Sequence, residues 1–171
     1  TLALGITPVN DAPVNTVKSF ATSQSDSNGV PTYLALGGMS VTDVDAGSSN
    51  ITVSFSVDSS YGTLAARLPT GSGLTTSTSS SNGVQTLTLT GTLANINSFL
   101  ALTTGTSSTG NGLKFSTTTG THRVGTVDLT MVSSDGSLTD TDVSTITIAE
   151  TSTTGRADPD INTLSEDALS L

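Results

Sequence analysis

Ile51-Thr-Val-Ser-Phe-Ser-Val57 decides the fold class. Apolar and hydroxyl side chains alternate along it, which is the period of an extended strand with one buried face. Its Thr and Ser residues suit the solvent side of a pleated surface. The same alternation returns in Val127-Asp-Leu-Thr-Met131 and in Thr145-Ile-Thr-Ile148, and Val84, Leu87 and Leu89 stand among Gln and Thr in a further strand.

Upstream, Tyr33-Leu-Ala-Leu36 and Met39-Ser-Val41 read as two strand halves separated by Gly37-Gly38, a pair that predicts a bulge or bend. Tyr61–Ala66 reads as a short strand after a turn at Asp58–Ser60. Asn82-Gly83 stands where a tight hairpin would join Thr76–Ser81 to Val84. One segment changes period: Leu93, Ile96, Phe99 and Leu100 recur at helical spacing. They predict a short helix over residues 92–101, N-capped by Thr92 and packed over the sandwich edge. Residues 18–29 and 103–112 read as loops, and residues 151–163 as a linker. Several short strands at this spacing predict an all-β antiparallel sandwich.

Composition narrows the function. Apolar residues are 33% and aromatics 4% of the 171-residue chain, with no Trp, where roughly 45–50% apolar (counting Gly) is usual. The core must come from Leu, Val and Ile more than from rings. Charged residues are only 11%, so solubility rests on Ser, Thr, Asn and Gly. That composition is common on extracellular surfaces and poor for catalysis. The net charge is −9, with Lys18, Arg67, Lys114, Arg123 and Arg156 the only cations. Nucleic acid and anionic membranes therefore make poor partners, and a divalent cation is the natural counterpart of the surplus carboxylates. The absence of Cys excludes disulfides, thiol catalysis and cysteine zinc sites. No apolar run reaches the roughly 20 residues of a membrane helix. The first residue is Thr1, read as the start of a processed chain or excised fragment.

A phrase near the start returns near the end. Asp11-Ala-Pro-Val-Asn-Thr-Val17 and Asp158-Pro-Asp-Ile-Asn-Thr-Leu164 share the pattern Asp-x-x-apolar-Asn-Thr-apolar. Leu34-Ala-Leu36 returns as Leu169-Ser-Leu171, and the spacing implies extra residues in the first copy within 18–31. The chain therefore reads as one link of a tandem array. Residues 1–8 form a terminal strand resembling the end of a preceding unit, residues 9–150 the sandwich, and residues 151–171 a linker and the start of a following unit.

The acidic residues are grouped. Asn10 and Asp11 lie in the head phrase, and Asp43 and Asp45 at a strand-to-loop exit. Asp135, Asp140 and Asp142 lie in a turn between the last two strands; Asp158, Asp160, Glu166 and Asp167 lie in the tail. Calcium takes six to eight oxygens from carboxylates, Asn side chains and carbonyls on loops that can wrap it. The competing reading is that each Asp is only a solvated turn former. Enzymatic signals are poor. His122 is the one His and reads as an exposed loop residue. No Gly-x-Ser-x-Gly elbow and no phosphate-cradling loop occurs.

Pro8-Val-Asn-Asp-Ala-Pro13, Gly37-Gly-Met-Ser-Val-Thr-Asp-Val-Asp-Ala-Gly47, Gly62-Thr-Leu64, Leu87-Thr-Leu-Thr-Gly-Thr-Leu-Ala-Asn-Ile-Asn97 and Leu138-Thr-Asp-Thr-Asp142 together resemble a bacterial cadherin-like repeat. Such repeats occur in large secreted surface proteins and adhesins, and the resemblance covers roughly residues 6–150. It implies an Ig-like, cadherin-like Greek-key sandwich stacked head-to-tail, with Ca2+ between units. The family pattern carries onto Asn10, Asp11, Asp43, Asp45, Asp140 and Asp142. One departure stands out: the Asn-Glu-Asp-like step before the Leu-x-Leu-Gly-Gly strand is replaced by Gln24-Ser-Asp-Ser-Asn28, which leaves Asp26 alone. The tail offers Ser165-Glu-Asp167 instead. The expected function is a non-enzymatic calcium-binding structural repeat of an extracellular, cell-surface adhesin or matrix protein, whose partners are neighbouring repeats or subunits. Two alternatives stay open. One is a filament subunit joined by strand exchange through its terminal segments. The other is a carbohydrate-binding sandwich, disfavoured because so few rings are available for a sugar platform.

Overall fold

The structure is a computed structural model that describes residues 9–25, 31–117 and 123–151. The expected terminal strand over 1–8, Asp26, His122, Asp158, Asp160, Glu166, Asp167 and the rest of the tail lie outside the described residues.

The fold is an all-β sandwich with one short helix. In chain order the described elements are β1 (Val14–Thr16), β2 (Phe20–Ser25), β3 (Tyr33–Ala35), β4 (Ser40–Thr42), β5 (Asn50–Asp58), β6 (Gly62–Arg67), β7 (Thr75–Ser81), β8 (Val84–Thr92), α1 (Leu93–Leu100), β9 (Gly112–Thr117), β10 (Gly125–Ser134) and β11 (Thr139–Thr151). One layer is a six-stranded sheet in the order β2-β11-β10-β5-β8-β7, and the other is made of β3-β9-β6 and β1-β4. Between them lies a continuous apolar core. Val53 and Phe55 of β5, Leu87 and Leu89 of β8, and Leu129 and Met131 of β10 face Leu36, Val41, Leu64, Leu113 and Phe115. Every second residue of β5 is buried, which is the alternation expected from the sequence. Each such side chain contributes about 1.5–3 kcal/mol.

Gly37-Gly38 makes the expected break. Leu36 N donates to Leu113 O at 2.9 Å, which keeps β3 beside β9, and Gly38 N donates to Leu100 O at 2.8 Å. A Cβ on Gly37 would overlap the Leu102 carbonyl, and Gly38 has a φ of 93°. The strand therefore turns there, and β4 leaves β9 to pair with β1, Asn15 opposite Val41. At the other expected tight turn, Asn82 and Gly83 have φ of 51° and 79°, the left-handed pair a two-residue hairpin requires.

α1 starts as expected, with Thr92 Oγ1 accepting from Asn95 N at 3.4 Å. It spans the space between the two layers at one side of the sandwich. It touches β4 and β9 of one layer and β8 and β5 of the other, and Ile96, Phe99 and Leu100 are buried between them. Asn97 fixes its position. Its Oδ1 accepts from Val41 N at 2.9 Å and its Nδ2 donates to Val41 O at 2.8 Å, so one carboxamide pairs with β4 as a peptide group of a neighbouring strand would. Gln85 does the same for β6, accepting from Leu64 N at 2.5 Å and donating to Leu64 O at 3.2 Å.

Three expectations are corrected. The stretch 18–29 is not all loop, because Phe20–Ser25 forms β2 against the last strand. That pair runs parallel, Phe20 opposite Ile146, in a sheet otherwise antiparallel. Gly112–Thr117, in part read as loop, is β9, the central strand of the smaller layer. Its Lys114 is 2% exposed because residues 107–110 fold over it, and its Nζ donates to the carbonyls of Ser107, Ser108 and Gly110 at 2.7, 3.3 and 2.7 Å. Finally, Asp140 and Asp142 are not in the turn. They are half-buried positions of β11, opposite Ser133 and Met131.

Asn97→Ala should lower stability by about 1–3 kcal/mol, since it leaves both polar groups of Val41 unpaired at a strand edge. Denaturant unfolding should show this as a lower midpoint at unchanged slope.

Candidate functional site

Three chain segments meet at one pole of the sandwich: the head phrase before β1, the exit from β4, and the turn between β10 and β11. Asn10 Nδ2 donates to Asp135 Oδ2 at 2.6 Å, and Asp11 N donates to Asp45 Oδ2 at 2.9 Å. Asp43 Oδ1 accepts from Asp45 N at 3.1 Å and from Ala46 N at 3.0 Å, so it caps its own loop. Asp135 Oδ1 likewise accepts from Ser137 N and Leu138 N, at 2.6 and 2.7 Å. These are the Asx-turn bonds that favour Asp in loops.

The turn-forming role does not account for every oxygen. Asp43 Oδ2 is buried with no hydrogen-bond donor facing it. The Asp43 and Asp45 carboxyls lie within hydrogen-bonding reach of each other. Two ionised carboxylates in contact repel, which favours a proton or a cation between them. The electrostatics divide accordingly. Burial, then the contact with Asp45, pushes the Asp43 carboxyl above its ordinary range. The Asp11 backbone N–H, and then Asp43, hold Asp45 below it. Asp135 is held low by the Leu138 N–H, followed by the Asn10 side chain and the Ser137 N–H.

Of the residues expected to supply oxygens, Asn10, Asp11, Asp43 and Asp45 come together, with Asp11 joined through its backbone N–H. Asp135 belongs to the same cluster, although no local pattern places it beside Asn10. Asp140 is engaged elsewhere. Its Oδ2 accepts from Asn15 N at 2.7 Å and its carbonyl from Asn15 Nδ2 at 3.1 Å, which ties β1 to β11. Asp142 sits one step further along β11. Among the described residues no three His, Cys, Asp or Glu side chains converge closely enough to enclose a metal ion unaided. The donor set that does exist, a carboxylate pair with one unpartnered oxygen beside an Asn side chain, is hard and oxygen-only. It fits calcium better than zinc.

Apolar side chains ring this pole. Val9 is 79% and Val44 84% exposed, and Leu138, in the Asp135 turn, is 41% exposed. A shallow cleft of about 320 Å³ lies between Pro69–Ser72 and the Asn95, Ser98, Phe99 and Leu102 side of α1. The rings of Phe55, Phe99 and Phe115 are buried, and Phe20, Tyr33 and Tyr61 are half-buried. Lys18 stacks over Phe20 and Arg123 over Tyr61. Among the described residues no helix is long and apolar enough to cross a membrane.

No family model matches the chain, and no curated protein sequence matches it either.

The pH dependence separates these carboxyls. The stabilisation from Asp45 and Asp135 is present above their ordinary pKa of 3.8 and is lost as pH falls through their lowered folded values. Asp43 runs oppositely, because ionising it in the folded state costs stability as pH rises past 3.8 and through its raised value. In a chelating buffer at neutral pH, Asp43→Asn should therefore raise the melting temperature by a few degrees, its amide donating to Asp45. Asp135→Asn should lower it and flatten the acid limb of the curve. Melting temperature against pH for the two variants checks both signs.

Proposed function

We propose that this chain is a calcium-stiffened, non-enzymatic structural repeat of an extracellular surface adhesin or matrix protein, joined head-to-tail to similar units. The observation that supports it is the cluster of Asn10, Asp11, Asp43, Asp45 and Asp135 at the pole where the head phrase reaches the sandwich. Asp43 Oδ2 is the oxygen left without a partner there. A bound calcium would be held by the Asp43 and Asp45 carboxylates and the Asn10 side chain, supplemented by carbonyls and water, and would relieve the repulsion between the two carboxylates.

The path of the chain agrees with this reading. β11 starts just after the Asp135 turn and runs 13 residues to Thr151. At about 3.3 Å per residue, its end is roughly 40 Å from the carboxylate pole. A unit entered at one pole and left at the other adds its full length to a row. Exposed Val9, Val44 and Leu138 around the carboxylates give that pole an apolar rim on which a neighbouring unit could seat. The resemblance to cadherin-like repeats adds the expectation that such poles are calcium-bridged joints.

Calcium titration of the melting curve tests the reading. Free calcium at about 100 times its Kd should add roughly 2.7 kcal/mol, and magnesium much less. Asp43→Asn should raise stability in chelator yet abolish the calcium response. Superimposable curves in calcium and in chelator for the unmodified chain would overturn the proposal.

A further inference from the structure

The edges of the sheets are treated unequally. β4 is closed by the Asn97 carboxamide and β6 by that of Gln85. β1 is tied down through Asn15 to Asp140. At the β2 edge, Lys18 stands over Phe20, and Gln24 accepts from Arg123 N. β7, the last strand at the other end of the six-stranded sheet, has none of these devices. Its sequence is Thr75-Thr-Ser-Thr-Ser-Ser-Ser81, without charge, proline or bulge, and all seven residues are exposed. Proteins that avoid edge pairing place Lys, Pro or a bulge on such a strand.

The hairpin fixes which groups the edge presents. The Asn82-Gly83 turn makes Ser81 and Val84 the first hydrogen-bonded pair. Alternation then turns the N–H and C=O groups of Thr76, Thr78 and Ser80 away from β8, toward solvent. Thr76 and Thr78 sit opposite Leu89 and Leu87, on the side facing the second layer. Their exposure shows that, among the described residues, this layer does not cover the inner side of β7.

We propose that β7 is a pairing edge through which a second copy of this chain joins, antiparallel about a twofold axis at Thr78. In that register Thr78 opposes Thr78 of the copy, Thr76 opposes Ser80 and Ser77 opposes Ser79. The outward-turned groups of Thr76, Thr78 and Ser80 all find partners. Charge leaves β7 as a face on which two copies can meet. The chain carries a net charge of −9, so most approaches of two copies bring carboxylates together, whereas β7 brings only hydroxyls. Those hydroxyls also continue a pattern already within the sheet. Ser54 bonds Thr88 at 2.8 Å and Ser56 bonds Thr86 at 3.0 Å on the outer face. Ser77 and Ser79 extend these two rows to the edge. The twofold joins the row ending at Ser77 to the copy's row ending at Ser79, which makes one continuous twelve-stranded sheet from two six-stranded ones.

Sedimentation of the full chain in chelator, from micromolar to millimolar concentration, tests this apart from any cation effect at the carboxylate pole. The unmodified chain should shift from one to two chains' mass. Thr78→Lys and Thr78→Glu should each stay monomeric with melting curves close to that of the parent, because like charges would oppose across the axis. An equimolar mixture of the two should dimerise again. The chain has no Cys, so Thr78→Cys introduces a single thiol about 5.5 Å in Cα separation from its copy, within disulfide reach. It should cross-link on oxidation, and Ser77→Cys should not. A parent chain monomeric throughout, dimers that persist in both charge variants, or equal cross-linking from the two cysteine positions would each overturn the proposal.

Discussion

A sheet leaves a row of unpaired peptide groups along every edge, and a buried unpaired group costs about as much as a lost hydrogen bond. This chain meets that constraint with little else to hold it. It has no disulfide, no Trp, and a core of aliphatic residues with three buried phenylalanines. The answer is to let side-chain amides stand in for missing strands. Asn97 and Gln85 each present an acceptor and a donor at peptide spacing, and Asn15 uses its backbone and its side chain on Asp140. The placement of α1 follows from this. Ile96, Phe99 and Leu100 set which face it buries, and Asn97 sets where along β4 it stops.

The strands buried on one face were the legible part of the sequence. β5, β8 and β10 alternate cleanly because one face meets the core and the other meets water. The elements that were missed depart from that rule for physical reasons. β9 carries Lys114 in a buried position, and a lysine inside a strand reads as solvent exposure. It is tolerated because three carbonyls of the overlying loop accept from its ammonium group. β2 offers the core only Phe20 and a buried Gln24, too little for a hydrophobic period. β11 extends back through Asp140 and Asp142, where β1 supplies a polar lining. The Asn-Gly hairpin and the Gly-Gly bend were readable because both depend on backbone conformations that few residues adopt. The pairing of Asp43 with Asp45 was suggested by their spacing, but the meeting of Asn10 with Asp135 joins residues 125 positions apart and has no local signature.

The carboxylates at the head pole differ because the backbone treats them differently. Asp135 and Asp45 receive N–H groups on the oxygens they present, so ionisation suits them. Asp43 uses one oxygen to cap its loop, and its other oxygen is buried with no donor facing it. The local fold thus spends one carboxylate oxygen on structure and leaves its twin unsatisfied. The Asp-Val-Asp spacing produces this arrangement, placing the two acids on one side of the loop and sending Val44 into solvent.

The parallel pairing of β2 with β11 has a mechanical consequence. The chain reaches β2 from the carboxylate pole and leaves β11 at the far pole, and Phe20 to Ser25 lie in register with Ile146 to Thr151. Tension applied between Phe20 and Thr151 would load that patch in shear, so its bonds would resist together instead of opening one by one. Forced rupture of such a patch would proceed at a rate set by the unfolding barrier.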